Sequence, residues 1–259
     1  MNPFQIDLSW EGFLLFIIAG ISTGIINTLA GSGSLITLPI FMAICQLPPS
    51  IANATNRIGV LLQSSVASIQ FSKQQPGLYR KKFHVLIPTI VGAIVGSKIA
   101  MDITEEAMNI SLAILMLSML IILVIKPERW LIKEKENPSG SQVVTYISYF
   151  FLGVYGGFIQ AGAGFFILAG LVLISRYTLS QANGLKIFII LIFTIPAIAI
   201  FAWGGKIHYA YGFLMGIFQA LGSWIGVRFI AKLPNANLSI YRILLVTVFF
   251  SALYFIYQL

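Results

Sequence analysis

The stretch Asn27-Thr28-Leu29-Ala30-Gly31-Ser32-Gly33-Ser34-Leu35-Ile36-Thr37-Leu38-Pro39 interrupts an otherwise apolar sequence. An apolar run from Gly12 to Ile26 leads into it. A second run, Leu35 to Ile44, leaves it and is only about half the usual spanning length. A helix does not pass smoothly through Gly-Ser-Gly-Ser, because glycine weakens it and serine bonds to nearby backbone instead. The backbone is therefore expected to open here, at or inside a membrane. Open backbone in lipid is tolerated only where protein buries it or water fills a cavity beside it. Broken helices of this kind form the substrate sites of secondary transporters. A tight helix-helix turn is the plainer alternative.

The same pattern returns in the second half. Gly153, Gly157, Gln160 and Gly164 match Gly20, Gly24, Asn27 and Gly31 at one constant offset. At a slightly smaller offset Ala182-Asn183 falls on Ala52-Asn53, and Gly222, Gly226 and Arg228 fall on Gly92, Gly96 and Lys98. A duplicated unit of about 130 residues then makes up nearly the whole chain. The expected organisation is a first membrane repeat over 1–127, a cytoplasmic linker over 128–141 and a second membrane repeat over 142–259.

Composition bounds the class. Of 259 residues 58% are hydrophobic and 9% charged, and mean hydropathy is +0.91. A soluble domain of this size cannot hide that much apolar side chain, so the fold class is an all-α polytopic membrane protein. The N-terminus carries Asp7 and Glu11 and no basic region, so no cleaved signal peptide is expected. Cys45 is the sole cysteine, which excludes an intrachain disulfide and a multi-cysteine metal site. The net charge of +8 lies mostly in loop Lys and Arg, which orient helices, and does not indicate nucleic acid.

Apolar segments are expected at 11–29, 34–46, 51–71, 83–101, 106–125, 142–161, 165–175, 180–202, 208–230 and 238–257. Segments two and seven are short, as the repeat requires. If all ten cross, one side receives Lys73, Arg80, Lys81, Lys82, Lys126, Arg129, Lys133, Lys135, Arg176 and Lys232. The other receives Lys206 with Asp7, Glu11, Asp102, Glu105 and Glu106. Five crossings per half would invert the second repeat and put both termini outside. Eight crossings, with re-entrant short segments, would make the repeats parallel and both termini cytoplasmic. The ten-crossing arrangement separates charge better. The Gly-xxx-Gly pairs Gly20/Gly24, Gly92/Gly96, Gly153/Gly157, Gly212/Gly216 and Gly222/Gly226 read as helix-packing seams.

All eight carboxylates lie outside the apolar segments or at their ends, whereas Arg57, Lys98, Lys186 and Arg228 lie within them. An intramembrane ion is expensive and usually functional. Cations without carboxylates point to an anionic substrate and away from a cation channel or a carboxylate proton relay. Lys98 and Arg228, near segment ends, are expected to snorkel to the headgroups. Arg57 and Lys186 are flanked by Asn53, Asn56 and Asn183 at helical spacing, and amide N–H groups beside a cation suit an oxyanion that must shed its water. Asn27 and Gln160 sit at the equivalent breaks. The adjoining Gly31, Ser32, Gly33, Gly162 and Gly164 can turn backbone N–H groups toward an anion. These twelve residues form the candidate binding set. Gln63 and Gln219 fit interhelical hydrogen bonding equally well. There is no Gly-x-Ser-x-Gly, His-Glu-x-x-His or membrane aspartate pair, and His84 and His208 stand singly at helix starts, so neither enzyme chemistry nor a cofactor or metal is expected.

The repeat, the pattern Asn27-x-x-Ala30-Gly31-x-Gly33 followed by Pro39, and Ala52-Asn53-Ala54-Thr55-Asn56 together resemble the sulfite exporter TauE/SafE family, from about Gly12 to Tyr254. The second half departs from the pattern, with Phe165 after Gly162-Ala-Gly164 and no equivalent of Pro39. The resemblance implies a multi-pass protein of a prokaryotic plasma (inner) membrane that moves sulfite, organosulfonates or related sulfur-containing or organic anions, often outward. An anion channel and an integral membrane enzyme remain the alternatives. Partners are then a small anion and the bilayer, with coupling proton or ion, direction and oligomeric state left open. A reporter fused to the C-terminus is expected to be silent in the cytoplasm under ten crossings; activity only in the cytoplasm would reject that topology.

Overall fold

The computed structural model describes residues 2–79, 83–125, 142–175, 177, 179–228, 249 and 253. The expected linker lies outside these residues, as does the tenth segment apart from Phe249 and Leu253. The described residues form α1 (Trp10–Ala30), α2 (Ser34–Ala43), α3 (Pro49–Gln74), α4 (Phe83–Asp102), α5 (Glu105–Ile125), α6 (Gln142–Phe158), α7 (Ala163–Ala169), α8 (Leu179–Trp203) and α9 (Tyr209–Arg228), with no strand among them. A π-helical turn, Gly170–Ile174, continues α7. The helix starts and stops follow local chemistry. Ser9 caps α1 by accepting the Gly12 N–H at 3.1 Å. Gly31 ends α1 in the left-handed region at φ 81°, its N–H closing on the Asn27 and Ile26 carbonyls. Pro49 opens α3, where its missing N–H costs nothing.

Among the described residues four helices are long and apolar enough to cross a membrane by length and composition, α1 and the spans Val85–Asp102, Gln181–Trp203 and Tyr209–Arg228; Ser34–Ala43 and Ala163–Val172 are apolar but short. The 26-residue α3 is long but polar inside: Asn53, Asn56, Arg57, Gln63, Ser64 and Ser68 are all buried. It is the buried axis of the bundle.

Glycine seams set the packing. On α1, a Cβ at Gly24 would lie 2.1 Å from the Gln219 carbonyl oxygen of α9, and on α9 one at Gly222 would lie 2.0 Å from that of Ile21. The matching pair is α4 with α6: Gly92 faces the Phe150 carbonyl, Gly96 that of Val154, Gly153 that of Thr89 and Gly157 that of Ala93. Residue numbers rise together across both seams, so α1 and α9 run in the same direction, as do α4 and α6. By the internal repeat α1 corresponds to α6 and α4 to α9. Each seam therefore joins one half of the chain to the other. The seams expected from Gly-xxx-Gly spacing are present, and the partners are those that the repeat exchanges.

The contacts also sort the helix ends. Gly12 at the start of α1 meets Ile44 just past α2, and Phe16 packs on Phe41 with ring centroids 5.8 Å apart. So α2 folds back along α1. At the same end Glu105, opening α5, accepts the Ser50 N–H at 2.8 Å and its hydroxyl, while Lys206 lies 3.7 Å from Glu105. Ala210 donates to the Pro3 carbonyl, and Phe4 stacks on Tyr209. This end gathers Asp7, Glu11, Asp102, Glu105, Glu106 and Lys206. At the opposite end, Leu78 and Phe71 at the close of α3 meet Gly184 early in α8, and Tyr79 stacks on Phe188 at 4.3 Å. Thus α3 and α8, which correspond in the repeat, run in opposite directions.

Gly96→Ala is expected to cost about 1–3 kcal/mol through overpacking, since its Cβ would lie 1.9 Å from the Val154 carbonyl oxygen. Gly226→Ala, whose Cβ would meet nothing closer than 3.4 Å, is expected to be neutral or stabilising, because alanine is the better helix former. Melting of the two detergent-solubilised variants measures the contrast.

Candidate functional site

The two breaks meet at the centre. Gly31 (φ 81°) and Gly162 (φ 70°) both turn the chain through the left-handed region, which favours glycine. A Cβ on Gly31 would sit 2.4 Å from the Gly164 carbonyl carbon, and one on Gly164 would sit 2.5 Å from the Gly31 oxygen. The Phe165 N–H donates to that oxygen at 3.2 Å. Gly31 and Gly164, which one sequence offset matches, thus touch each other. Gly33 is needed for a different reason: its backbone lies against α1, where a Cβ would fall 2.3 Å from the Thr23 carbonyl oxygen.

Each break leaves the C-terminus of a helix inside the protein, with carbonyls that have no helical partner and a partial negative charge of about half a unit. A buried cation answers each one. From α3, Arg57 Nη1 donates to Gly156 O at 3.1 Å, and Nη2 to Gly157 O at 2.6 Å and Phe158 O at 3.4 Å. These are the last carbonyls of α6. From α8, Lys186 Nζ donates to Thr28 O at 3.0 Å and Asn27 O at 3.4 Å, which end α1, and to Asn183 Oδ1 at 2.5 Å. Both side chains are 0% exposed. Again each cation comes from the half of the chain opposite to the helix it caps. Arg57 also lies over the Phe201 ring, 4.7 Å from its centroid.

The amides divide between these two clusters. Asn53 donates through Nδ2 to Phe158 O at 2.8 Å, beside Arg57. Asn56 Oδ1 accepts the Thr37 hydroxyl of α2 at 2.7 Å. Gln160 Nε2 donates to Thr194 Oγ1 on α8 at 2.8 Å. Asn27 contributes its carbonyl, and Asn183 its side-chain oxygen, to Lys186. Ser32 is buried, and its hydroxyl has no partner among the described residues. The candidate set thus falls at two helix ends joined through Gly31 and Gly164. Sequence reasoning missed Thr37, Thr194, Phe201 and Ser97, whose hydroxyl donates to Gly157 O at 3.1 Å. A hydroxyl six residues after Gly31 on a half-length helix, and another in mid-segment at Thr194, were the signals for the first two.

The four cations differ in exposure, with Arg57 and Lys186 buried. Lys98 and Arg228 are exposed, with Arg228 over the Trp224 ring at 5.4 Å. His208 is buried, its Nδ1 accepting the Tyr211 N–H at 3.4 Å and its ring stacked on Tyr211. The His84 side chain lies outside the described residues. No cluster of three metal-ligating side chains occurs among the described residues.

An all-helical bundle with interrupted helices around buried cations defines a membrane transporter as the class. The family model described as sulfite exporter TauE/SafE matches residues 16–255, and the chain belongs to that family. It is 23% identical to the probable membrane transporter protein ORF9 of a Sinorhizobium species, over 86% of this chain and 85% of the relative. It is 26% identical to the probable membrane transporter protein YfcA of Escherichia coli K12, over 84% and 80%. A probable membrane transporter protein of Haemophilus influenzae is 24% identical over 86% and 87%. No solved structure gives a significant match.

Gly31→Val and Gly33→Val are each expected to abolish transport while membrane insertion persists, because a β-branched residue resists the turn and forces the packed backbones apart. Flux in vesicles against the amount of inserted protein checks this, and wild-type flux in both variants would reject the assignment.

Proposed function

We propose that the chain is a secondary carrier for small anions, sulfite or an organosulfonate in type, moved outward across a prokaryotic plasma membrane. The observation that carries this reading is the exchange of buried cations between halves: Arg57 sits at the end of α6 and Lys186 at the end of α1, with amides beside both and no carboxylate in mid-membrane. The family description names sulfite export, which agrees with a cation-only interior.

We read the fold behind this function as two repeats of opposite orientation, 1–127 and 142–259 about the linker 128–141. Opposed directions of α3 and α8, the crossed glycine seams and the touching breaks support that reading. The end that gathers Asp7, Glu11, Asp102, Glu105 and Glu106 is the Lys- and Arg-poor side, which ten segments would make external. Two inverted repeats about a central site are the arrangement from which alternating access arises by rocking one unit against the other.

The twelve candidate residues then have distinct parts. Arg57, Asn53, Asn56 and Gln160, which all keep unpartnered polar atoms among the described residues, form the anion-binding side, and Ser32 adds an unpartnered hydroxyl at the first break. Lys186 supplies charge from the other side, with Asn183, Asn27 and Thr28 holding it. Gly31, Gly33, Gly162 and Gly164 let the backbones close.

In proteoliposomes, sulfite flux is expected to saturate and to be stimulated by sulfite on the trans side; linear flux without trans-stimulation would indicate a channel. Arg57→Met is expected to weaken anion binding by about tenfold or more, the worth of a hydrogen bond to a charged group. Lys186→Met is expected to weaken binding as well, with a further fall in melting temperature from the carbonyls it strands. Unchanged affinity in both inserted variants would refute the two-cation site.

A further inference from the structure

Resting on the carrier reading above, the polar atoms left over around Arg57 narrow the kind of anion. Arg57 has five N–H donors; its terminal nitrogens serve three carbonyls, and Nε has no partner among the described residues. Asn56 Nδ2 is a second unpartnered donor one position away. Lys186 differs: its three N–H donors face three oxygens. The charged donor left free for a ligand is therefore on the Arg57 side, while the Lys186 side keeps only the Thr28 hydroxyl unpartnered among its described buried side-chain donors.

Two acceptors there are also unpartnered: Asn53 Oδ1 and Gln160 Oε1. Asn53 is 0% and Gln160 4% exposed. The Asn53 orientation is fixed by the bond from its nitrogen to Phe158 O, because the flipped amide would set oxygen against oxygen. Asn53 shares that carbonyl with Arg57, and Gln160 follows it by two residues. An aprotic anion can use the donors but leaves both buried acceptors unmatched, at a cost in free energy that a hydrogen-bearing ligand avoids.

Charge points the same way. The single positive charge of Arg57 is offset by about half a unit of negative charge at the α6 C-terminus. What remains suits one negative charge better than two. No carboxylate lies in mid-membrane to carry a proton, so a proton that crosses with the anion travels on the anion itself or by way of a histidine.

We propose that the Arg57 side of the break binds a monovalent anion that itself donates a hydrogen bond, its oxygens held by Arg57 Nε and Asn56 Nδ2 and its hydrogen given to Asn53 Oδ1 or Gln160 Oε1. A hydrogen oxyanion or a sulfonate bearing an N–H or O–H group has this chemistry; a dianion and an aprotic sulfonate do not.

Sulfamate and methanesulfonate have nearly the same shape, and both are monovalent at neutral pH, but only sulfamate has N–H donors. Melting of the purified full chain against each, and against divalent sulfate, gives three apparent affinities by mass action. Sulfamate is expected to bind about tenfold or more tightly than methanesulfonate, with sulfate weakest. At least one of Asn53→Leu and Gln160→Met should remove the difference between the first two, a ratio that lowered stability does not move; a ratio unchanged in both folded variants would overturn the proposal. Equal binding of sulfamate and methanesulfonate, as expected if water fills the acceptors, or tightest binding of sulfate, would overturn the proposal and leave the carrier standing. Failure of all three anions to bind would overturn both.

Discussion

A helix that stops inside a bilayer leaves up to four carbonyls facing a medium with no water to bond them. Two helices here, α1 and α6, stop in the interior. Each unsatisfied carbonyl costs free energy comparable to a lost hydrogen bond. A buried cation costs still more unless it is paired and hydrogen-bonded. The protein sets one problem against the other, with Arg57 on the end of α6 and Lys186 on the end of α1. Neither cation needs a carboxylate, because a helix C-terminus supplies both negative potential and acceptors. The glycine seams, the left-handed turns at Gly31 and Gly162 and the polar inner face of α3 all serve to bring these ends and cations together.

Because each cation comes from the opposite half, neither half can form its centre alone. Removing the second half would leave the end of α1 uncapped and α3 with an unpaired guanidinium. The seams impose the same dependence, since α1 lies on α9 and α4 on α6. Interlocking of this kind is a stronger constraint than side-by-side docking of two finished domains. It fixes the relative position of the breaks through backbone contacts closer than any side chain would allow.

The sequence made some of this legible and hid the rest for physical reasons. Helix positions followed from apolar runs. The breaks followed from Gly-Ser-Gly-Ser and its echo at Gly162-Ala-Gly164, and the cations set apart by their flanking amides, Arg57 and Lys186, are the two that are buried, while Lys98 and Arg228 are exposed. What stayed hidden was the identity of each partner. Gly-xxx-Gly marks a seam but not the helix across it, because close approach depends on absent side chains that look alike everywhere. The acceptors of Arg57 and Lys186 are main-chain carbonyls, which every residue has, so no side-chain pattern could reveal them. Amides beside cations suggested ligand donors. Asn53 and Asn183 instead spend one end of their amides on the cation clusters, Asn53 on the Phe158 carbonyl that Arg57 shares and Asn183 on Lys186 itself.

Positions matched by the sequence offset differ in side chains where α3 meets α9. Gln219 and Gln63 are buried there, with Ser223 donating to Gln63 O at 3.0 Å, and the Gln219 amide occupies the space that Gly59 leaves open. The positions that correspond in the other half are Thr89, Phe193 and Ala93, and Thr89 bonds within its own helix, to Val85 O. The α3–α9 seam is therefore lined by amides, whereas Phe193 of α8 packs its ring on Gly156 of α6. Two identical halves of a carrier would give two access states of equal energy, since exchanging the halves exchanges the states. Unequal seams remove that equality. Buried amides with unmet hydrogen-bonding capacity favour whichever state hydrates or pairs them, whereas Phe193 favours the state that keeps it packed. In the proposed carrier, with a centre built from glycines, carbonyls and two cations, a bias between states would lie in these flanking seams, away from the residues that would hold the anion.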